Sequence, residues 1–319
     1  MILCIGLTPT VQRTLRFDRF EVGAVNRAKE TAVTASGKAV NVARVLHTLG
    51  AGSYLLHPLG GGSGAFVEQA LLAEGVAQEV VPAGEEATTR TCTTLLVDGG
   101  GPTTELVEEA RALSGEVVAA LDAAWRRALP KARFVCLSGS LAPGVGEDFY
   151  AHILAEARDQ RGGGVRVLVD GQKGPLKAAL AERPFLVKPN REEAAATLGF
   201  PLTGDALTDA RTAVRALLDA GAQWALVSMG RAGSLLGGRE SPALWHVAPP
   251  AVETVNPIGS GDSLAAGTVY ALLEQGAPVP EAVAYGTACA AANALTLTSG
   301  VVNPADVARL LPDVWVTEM

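Results

Sequence analysis

The chain has 319 residues, 48% of them hydrophobic and 18% charged, with a formal net charge of -7. That is ample apolar chain for a large core. The acidic balance and the lack of a Lys/Arg run argue against nucleic acid and anionic membranes as partners, and no apolar run suits a membrane span.

The N-terminus, Met1-Ile2-Leu3-Cys4-Ile5-Gly6, has no basic leader and breaks at Thr8-Pro9, so it reads as a first strand and not a signal peptide. Cys4, Cys92, Cys136 and Cys289 lie far apart with no C-x-x-C, which suits buried free thiols in a reducing cytoplasm. Ile2–Leu7, Tyr54–His57, Phe134–Leu137, Val165–Val169, Phe185–Val187 and Ala225–Ser228 read as buried strands. Helical patterns fall near 39–49, 64–74, 115–128, 147–158, 175–181, 191–198 and 206–220. This β-α repetition predicts an α/β fold with a mainly parallel sheet and helices on both faces. Ligands in such sheets sit at the carboxyl ends of the strands.

Two segments break the rhythm. Residues 10–35 are polar and extended, and residues 88–108 are Thr-rich and close through Asp98-Gly99-Gly100-Gly101, as in a hairpin. Together they predict a small sheet standing off the main one as a lid, with an edge extension of the main sheet as the plainer alternative.

Four stretches carry candidate chemistry. Ser36-Gly37-Lys38-Ala39-Val40-Asn41 puts a glycine turn, a lysine and an asparagine at a helix start, able to hold a phosphate or a sugar hydroxyl. It is not a Walker A loop, and Gly60-Gly61-Gly62-Ser63-Gly64 does not fit a dinucleotide fingerprint. Ser138-Gly139-Ser140 follows an apolar strand. In Lys188-Pro189-Asn190-Arg191-Glu192-Glu193, Asn190 and Glu193 have capping-box spacing, and the same pair suits a Mg²⁺ hydration shell. Outside the four, the loop Ser228-Met229-Gly230-Arg231-Ala232-Gly233 ends another strand and offers backbone donors to a nucleotide.

The fourth is Asn256-Pro257-Ile258-Gly259-Ser260-Gly261-Asp262-Ser263, a glycine turn opening an apolar helix. Its N–H groups and the helix dipole suit an anion, and Asp262 stands where it can take a proton. The plain alternative is that Asp262 is only the helix N-cap. Gly261-Asp262-Ser263-Leu264 also matches the tetrapeptide of the GDSL hydrolases, but the last histidine, His246, lies upstream, so the expected base is missing.

The four stretches in this order resemble the ribokinase-like carbohydrate kinases of the PfkB family, in particular the 1-phosphofructokinase and tagatose-6-phosphate kinase branch. Val25-Asn26-Arg27 with Ala35 through Leu46 resembles the N-terminal signature of that branch. The resemblance covers nearly the whole chain and implies one kinase domain, 1–319, with lid segments at about 10–35 and 88–108. It implies Asp262 as catalytic base and Gly259, Ser260 and Gly261 as an anion hole. Gln12, Arg27, Gly37, Lys38, Asn41, Arg90 and Ser140 would bind the sugar phosphate. Lys188, Asn190, Ser228, Gly230, Gly233 and Asn293 would line the ATP site, with Glu193 acting on Mg²⁺ through water. Monovalent cation binding in parts of the family makes K⁺ a candidate too. The implied activity is ATP-dependent phosphorylation of a ketohexose phosphate, with fructose 1-phosphate ahead of tagatose 6-phosphate and fructose 6-phosphate. A non-catalytic sugar-phosphate sensor on the same fold is the alternative. The implied partner is a second copy of the chain, docked through the lid. Three positions depart from the branch: Gln12 replaces an aspartate, Ala39 a glycine, and Gly171 a hydroxyl residue.

Overall fold

The computed structural model describes residues 1–99, 101, 103–160 and 164–319. The chain opens with β1 (Ile2–Ile5), whose four residues are all buried. Next come β2 (Thr10–Phe17) and β3 (Glu30–Ser36), then α1 (Lys38–Thr48), β4 (Ser53–Leu59), α2 (Gly61–Ala73) and β5 (Gln78–Pro82). After β6 (Arg90–Val97) and β7 (Thr104–Val107) the β-α rhythm resumes with α3 (Gly115–Ala128), β8 (Phe134–Ser138), α4 (Phe149–Arg158), β9 (Arg166–Asp170) and α5 (Lys173–Ala181). It continues through β10 (Leu186–Val187), α6 (Arg191–Leu198), α7 (Ala206–Ala220) and β11 (Trp224–Ser228). The end of the chain holds β12 (Ser234–Gly238), β13 (Leu244–Ala248), α8 (Ser260–Glu274), α9 (Val279–Ala294), α10 (Pro304–Leu310) and β14 (Trp315–Glu318).

The large sheet runs β14-β13-β12-β11-β10-β9-β8-β1-β4-β5. From β11 to β5 every pairing is parallel, while β12, β13 and β14 add an antiparallel edge. The parallel strands are apolar because both faces are covered. Ile2 and Cys4 of β1 pack into one core with α1, α8 and α9. Leu3 and Ile5 point the other way, into a second core with α3, α4, α5 and α7.

A separate four-stranded sheet has the order β3-β2-β6-β7. It unites the two segments that broke the rhythm, with β2 parallel to β6 and antiparallel to β3. Gly100, part of the expected hairpin turn, lies outside the described residues.

Helices α8 and α9 approach closely because glycines face the contact. A Cβ on Gly267 would stand 2.6 Å from Cys289 Sγ, and one on Gly286 would stand 2.4 Å from the Leu264 carbonyl oxygen. That packing fixes α8, whose N-terminus forms the floor of the site. Among the described residues no helix is long and apolar enough to cross a membrane.

Candidate active site

Gly259 takes φ 84° and caps α8 without a side chain. A Cβ there would stand 2.5 Å from the Gly300 nitrogen, so only glycine fits this turn. Two buried asparagines brace it. Asn256 accepts from the Ile258 N–H at 3.0 Å and donates to the Leu297 carbonyl at 2.8 Å. Asn293 donates to the Ile258 carbonyl at 2.9 Å and accepts from the Gly300 N–H at 2.8 Å. The Ser260 N–H is taken by the Pro257 carbonyl at 3.2 Å, so the expected trio of free N–H groups is corrected. Gly259, Gly261 and Asp262 keep theirs, as the first turn of a helix does. Ser263 is fully buried and donates Oγ to the Gly259 carbonyl at 2.9 Å, which removes it as a nucleophile.

Asp262 is the third residue of α8, so it is not the N-cap. Its Oδ2 accepts from Asn41 Nδ2 at 2.7 Å, and the residue is only 8% exposed. Burial, then the nearby Asp170 charge, raises its pKa to about 6, against the pull of Lys38, the Asn41 bond and Lys188. A carboxylate poised there is half-ready to take a proton near neutral pH.

Asp170, at the carboxyl end of β9, was not assigned a role from the sequence. Its Oδ1 meets Lys38 Nζ at 3.0 Å and its Oδ2 meets Lys188 Nζ at 2.9 Å. Burial raises its pKa, but Lys188 and Lys38 outweigh that and hold it below the usual carboxylate range. Lys38 also reaches Glu193 Oε1 at 3.1 Å. Its burial disfavours the charge, yet Asp170, Glu193 and Asp262 together raise its pKa well above the ordinary value. The only sequence signal for Asp170 is an acid ending an apolar strand, Val167-Leu168-Val169-Asp170.

Asn190 and Glu193 form the capping box of α6: Asn190 Oδ1 accepts from the Glu193 N–H at 2.7 Å, and Glu193 Oε2 accepts from the Asn190 N–H at 2.9 Å. Both oxygens of Glu193 are therefore engaged, and among the described residues no three His, Cys, Asp or Glu gather as a metal cage. Such a donor set would suit magnesium held mainly by phosphates and water, with Glu193 as the residue that would face it.

These groups line one open cleft of about 1750 Å³ between the α8 N-terminus, the strand ends and the small sheet. Gln12, Gly37, Lys38, Asn41 and Arg90 line it, as do Lys188, Asn190, Glu193, Ser228, Gly230, Gly233 and the Gly259–Asp262 turn. Arg90 donates to the Thr8 and Glu108 carbonyls, each at 3.2 Å, which sets its guanidinium at the cleft wall. Three expected residues stand apart. Arg27 is exposed in the loop between β2 and β3, Asn293 is wholly buried behind the turn, and Ser140 lies beside the cleft, its Oγ 3.5 Å from Thr8 Oγ1. Ala39 departs from the branch on the buried side: its Cβ is 2.4 Å from where a Cβ on Gly6 would stand.

A family model described as "pfkB family carbohydrate kinase" matches residues 1–306. A tagatose-6-phosphate kinase of Staphylococcus epidermidis (strain ATCC 12228) is 28% identical over 321 residues, covering 100% of both chains. The structure of Escherichia coli phosphofructokinase-2 in complex with potassium superposes with a TM-score of 0.83 at 26% identity, covering 98% of each chain. That of a possible 1-phosphofructokinase from Thermotoga maritima gives a TM-score of 0.88 at 23% identity, covering 100% of this chain and 99% of that one, a likeness of fold.

Proposed function

This chain belongs to the pfkB family of carbohydrate kinases, and from that premise we infer that it transfers the γ-phosphoryl of ATP to a hydroxyl of a ketohexose phosphate. Fructose 1-phosphate, giving the 1,6-bisphosphate, is the leading substrate, ahead of tagatose 6-phosphate and fructose 6-phosphate. The observation that carries this reading is the buried Asp262 carboxylate, held by Asn41 at the start of α8, beside unpaired backbone N–H groups.

ATP would enter along Lys188, Asn190, Ser228, Gly230 and Gly233. The phosphosugar would lie under the small sheet, against Gln12, Gly37, Asn41 and Arg90, with Ser140 at the margin. Arg90 is the main holder of the resident phosphate, because the charge of Lys38 is already met by Asp170 and Glu193. The free N–H groups at Gly259 and Gly261 and the helix dipole would hold the transferring phosphoryl while Asp262 takes the hydroxyl proton. Magnesium, when bound, neutralises charge on the phosphate oxygens. The potassium complex of the E. coli relative makes K⁺ a candidate cation here.

The chain acts in this reading as one domain, 1–319, with the small sheet as its lid. Val33 and Leu106, on the face of that sheet turned away from the cleft, are 50% and 55% exposed, which supports a homodimer through it. Four free, buried cysteines support a cytoplasmic location. The test is steady-state ATP turnover on the three phosphosugars. Turnover led by fructose 1-phosphate supports the substrate assignment; binding without turnover would mark a sensor instead.

A further inference from the structure

The face of the small sheet that looks into the cleft holds one carboxylate, Glu105, that the reading above leaves unused. Gln12 on β2, Arg90 and Cys92 on β6, and Glu105 and Val107 on β7 all line the cleft. Gln12 donates Nε2 to Thr94 Oγ1 at 2.9 Å and to the Arg13 carbonyl at 3.3 Å. A carbonyl only accepts, so it fixes which way the amide points. The donor end of Gln12 is thus engaged within the sheet, and a neutral oxygen is left for a ligand.

Thr94 stands directly opposite Glu105 in the ladder between β6 and β7. Glu105 therefore neighbours the Gln12–Thr94 pair. The other acid on this cleft wall, Asp98, is ion-paired to Arg16 at 2.7 Å and also to Lys29. Glu105 has no such contact among the described residues. Glu105 is exposed on its edge strand, yet partial desolvation by its surroundings raises its pKa, and the field of Arg90 opposes that. A sugar presents a row of hydroxyl donors, and an ionised carboxylate is the strongest acceptor a protein offers them.

We propose that Glu105 is a specificity-determining residue, the carboxylate that accepts hydrogen bonds from the hydroxyls of the bound sugar phosphate. The proposal rests on the cleft being a phosphosugar site. Arg90 holds the phosphate end, Gln12 supplies a neutral acceptor, and Glu105 supplies the charged one that distinguishes one hydroxyl arrangement from another.

Titration calorimetry without ATP tests it. Fructose 1-phosphate, fructose 6-phosphate and tagatose 6-phosphate are first titrated into the intact wild-type chain to find the tightest ligand. Glu105→Gln and Glu105→Ala are then titrated with that ligand, with its deoxy analogues each lacking one hydroxyl, and with ATP. In Glu105→Ala the Kd for the phosphosugar is expected to rise roughly 10-fold or more, the loss of one charge-assisted bond, with the Kd for ATP unchanged. One deoxy analogue is expected to bind wild type as weakly as the parent sugar binds Glu105→Ala, and to lose nothing further in the variant. Glu105 lies on an exposed edge strand, so both variants should fold, and their melting temperatures check this. Parent affinity unchanged in Glu105→Ala, or an equal loss for every analogue and for ATP, overturns the proposal. If wild type binds none of the three phosphosugars, the substrate reading itself fails, and this proposal falls with it.

Discussion

Replacing Asp262 by asparagine should make the protein more stable and nearly inactive at once. The carboxyl is held at about 6 against an ordinary 3.8. Ionising it inside the fold therefore costs about 3 kcal/mol, at about 1.36 kcal/mol per tenfold. Because the folded-state pKa is raised, this acid favours the fold most below its unfolded value, and that advantage is lost as the pH rises through about 6. Asn keeps an oxygen for Asn41 Nδ2 and removes the repulsion from Asp170. Wild type and Asp262→Asn should then be nearly equal at about pH 4 and diverge to about 1–3 kcal/mol in favour of the variant at about pH 8. Urea unfolding across that range measures it, with the change in midpoint read at constant slope. A variant less stable than wild type at the alkaline end, or a difference that ignores pH, would refute the reasoning about this carboxyl.

Asp170→Asn should cost about 3 kcal/mol of stability, since it leaves the buried Lys188 and the partly buried Lys38 without their shared partner. It should also lower the pKa of Asp262, moving the acid limb of kcat/KM to lower pH, as kinetics across pH would report. Arg90→Ala should weaken phosphosugar binding far more than ATP binding in calorimetry, and should narrow the gap between phosphorylated and unphosphorylated sugars. Equal losses for ATP and sugar would make Arg90 a prop of the small sheet instead.

The parallel sheet was legible because strands covered on both faces must be largely apolar, as Phe134–Leu137 is. The glycine turn before α8 and the Asn190–Glu193 box were legible because each depends on local backbone chemistry. Helix α9 was not, since a helix buried on most sides lacks the apolar-polar contrast that marks a surface helix. The antiparallel edge was missed for the opposite reason: β14 is exposed along its whole length and carries no buried stripe. Within the site, Asp170 escaped because its importance lies in two lysines that the chain brings from 132 residues before and 18 residues after it. Asn293 was misassigned to the cleft because an asparagine in an Ala-rich helix looks functional whether it faces a ligand or, as here, the back of a turn.

The central claim is phosphoryl transfer from ATP to a phosphosugar with Asp262 as base. Phosphorus NMR of the intact chain with ATP, magnesium and fructose 1-phosphate follows the transfer directly. The γ-phosphate signal should fall as a sugar bisphosphate appears, and Asp262→Asn should slow this by roughly 10²–10⁴-fold while still binding ATP. A wild-type chain that binds both ligands and transfers nothing, or an Asp262→Asn variant that turns over near the wild-type rate, would contradict it.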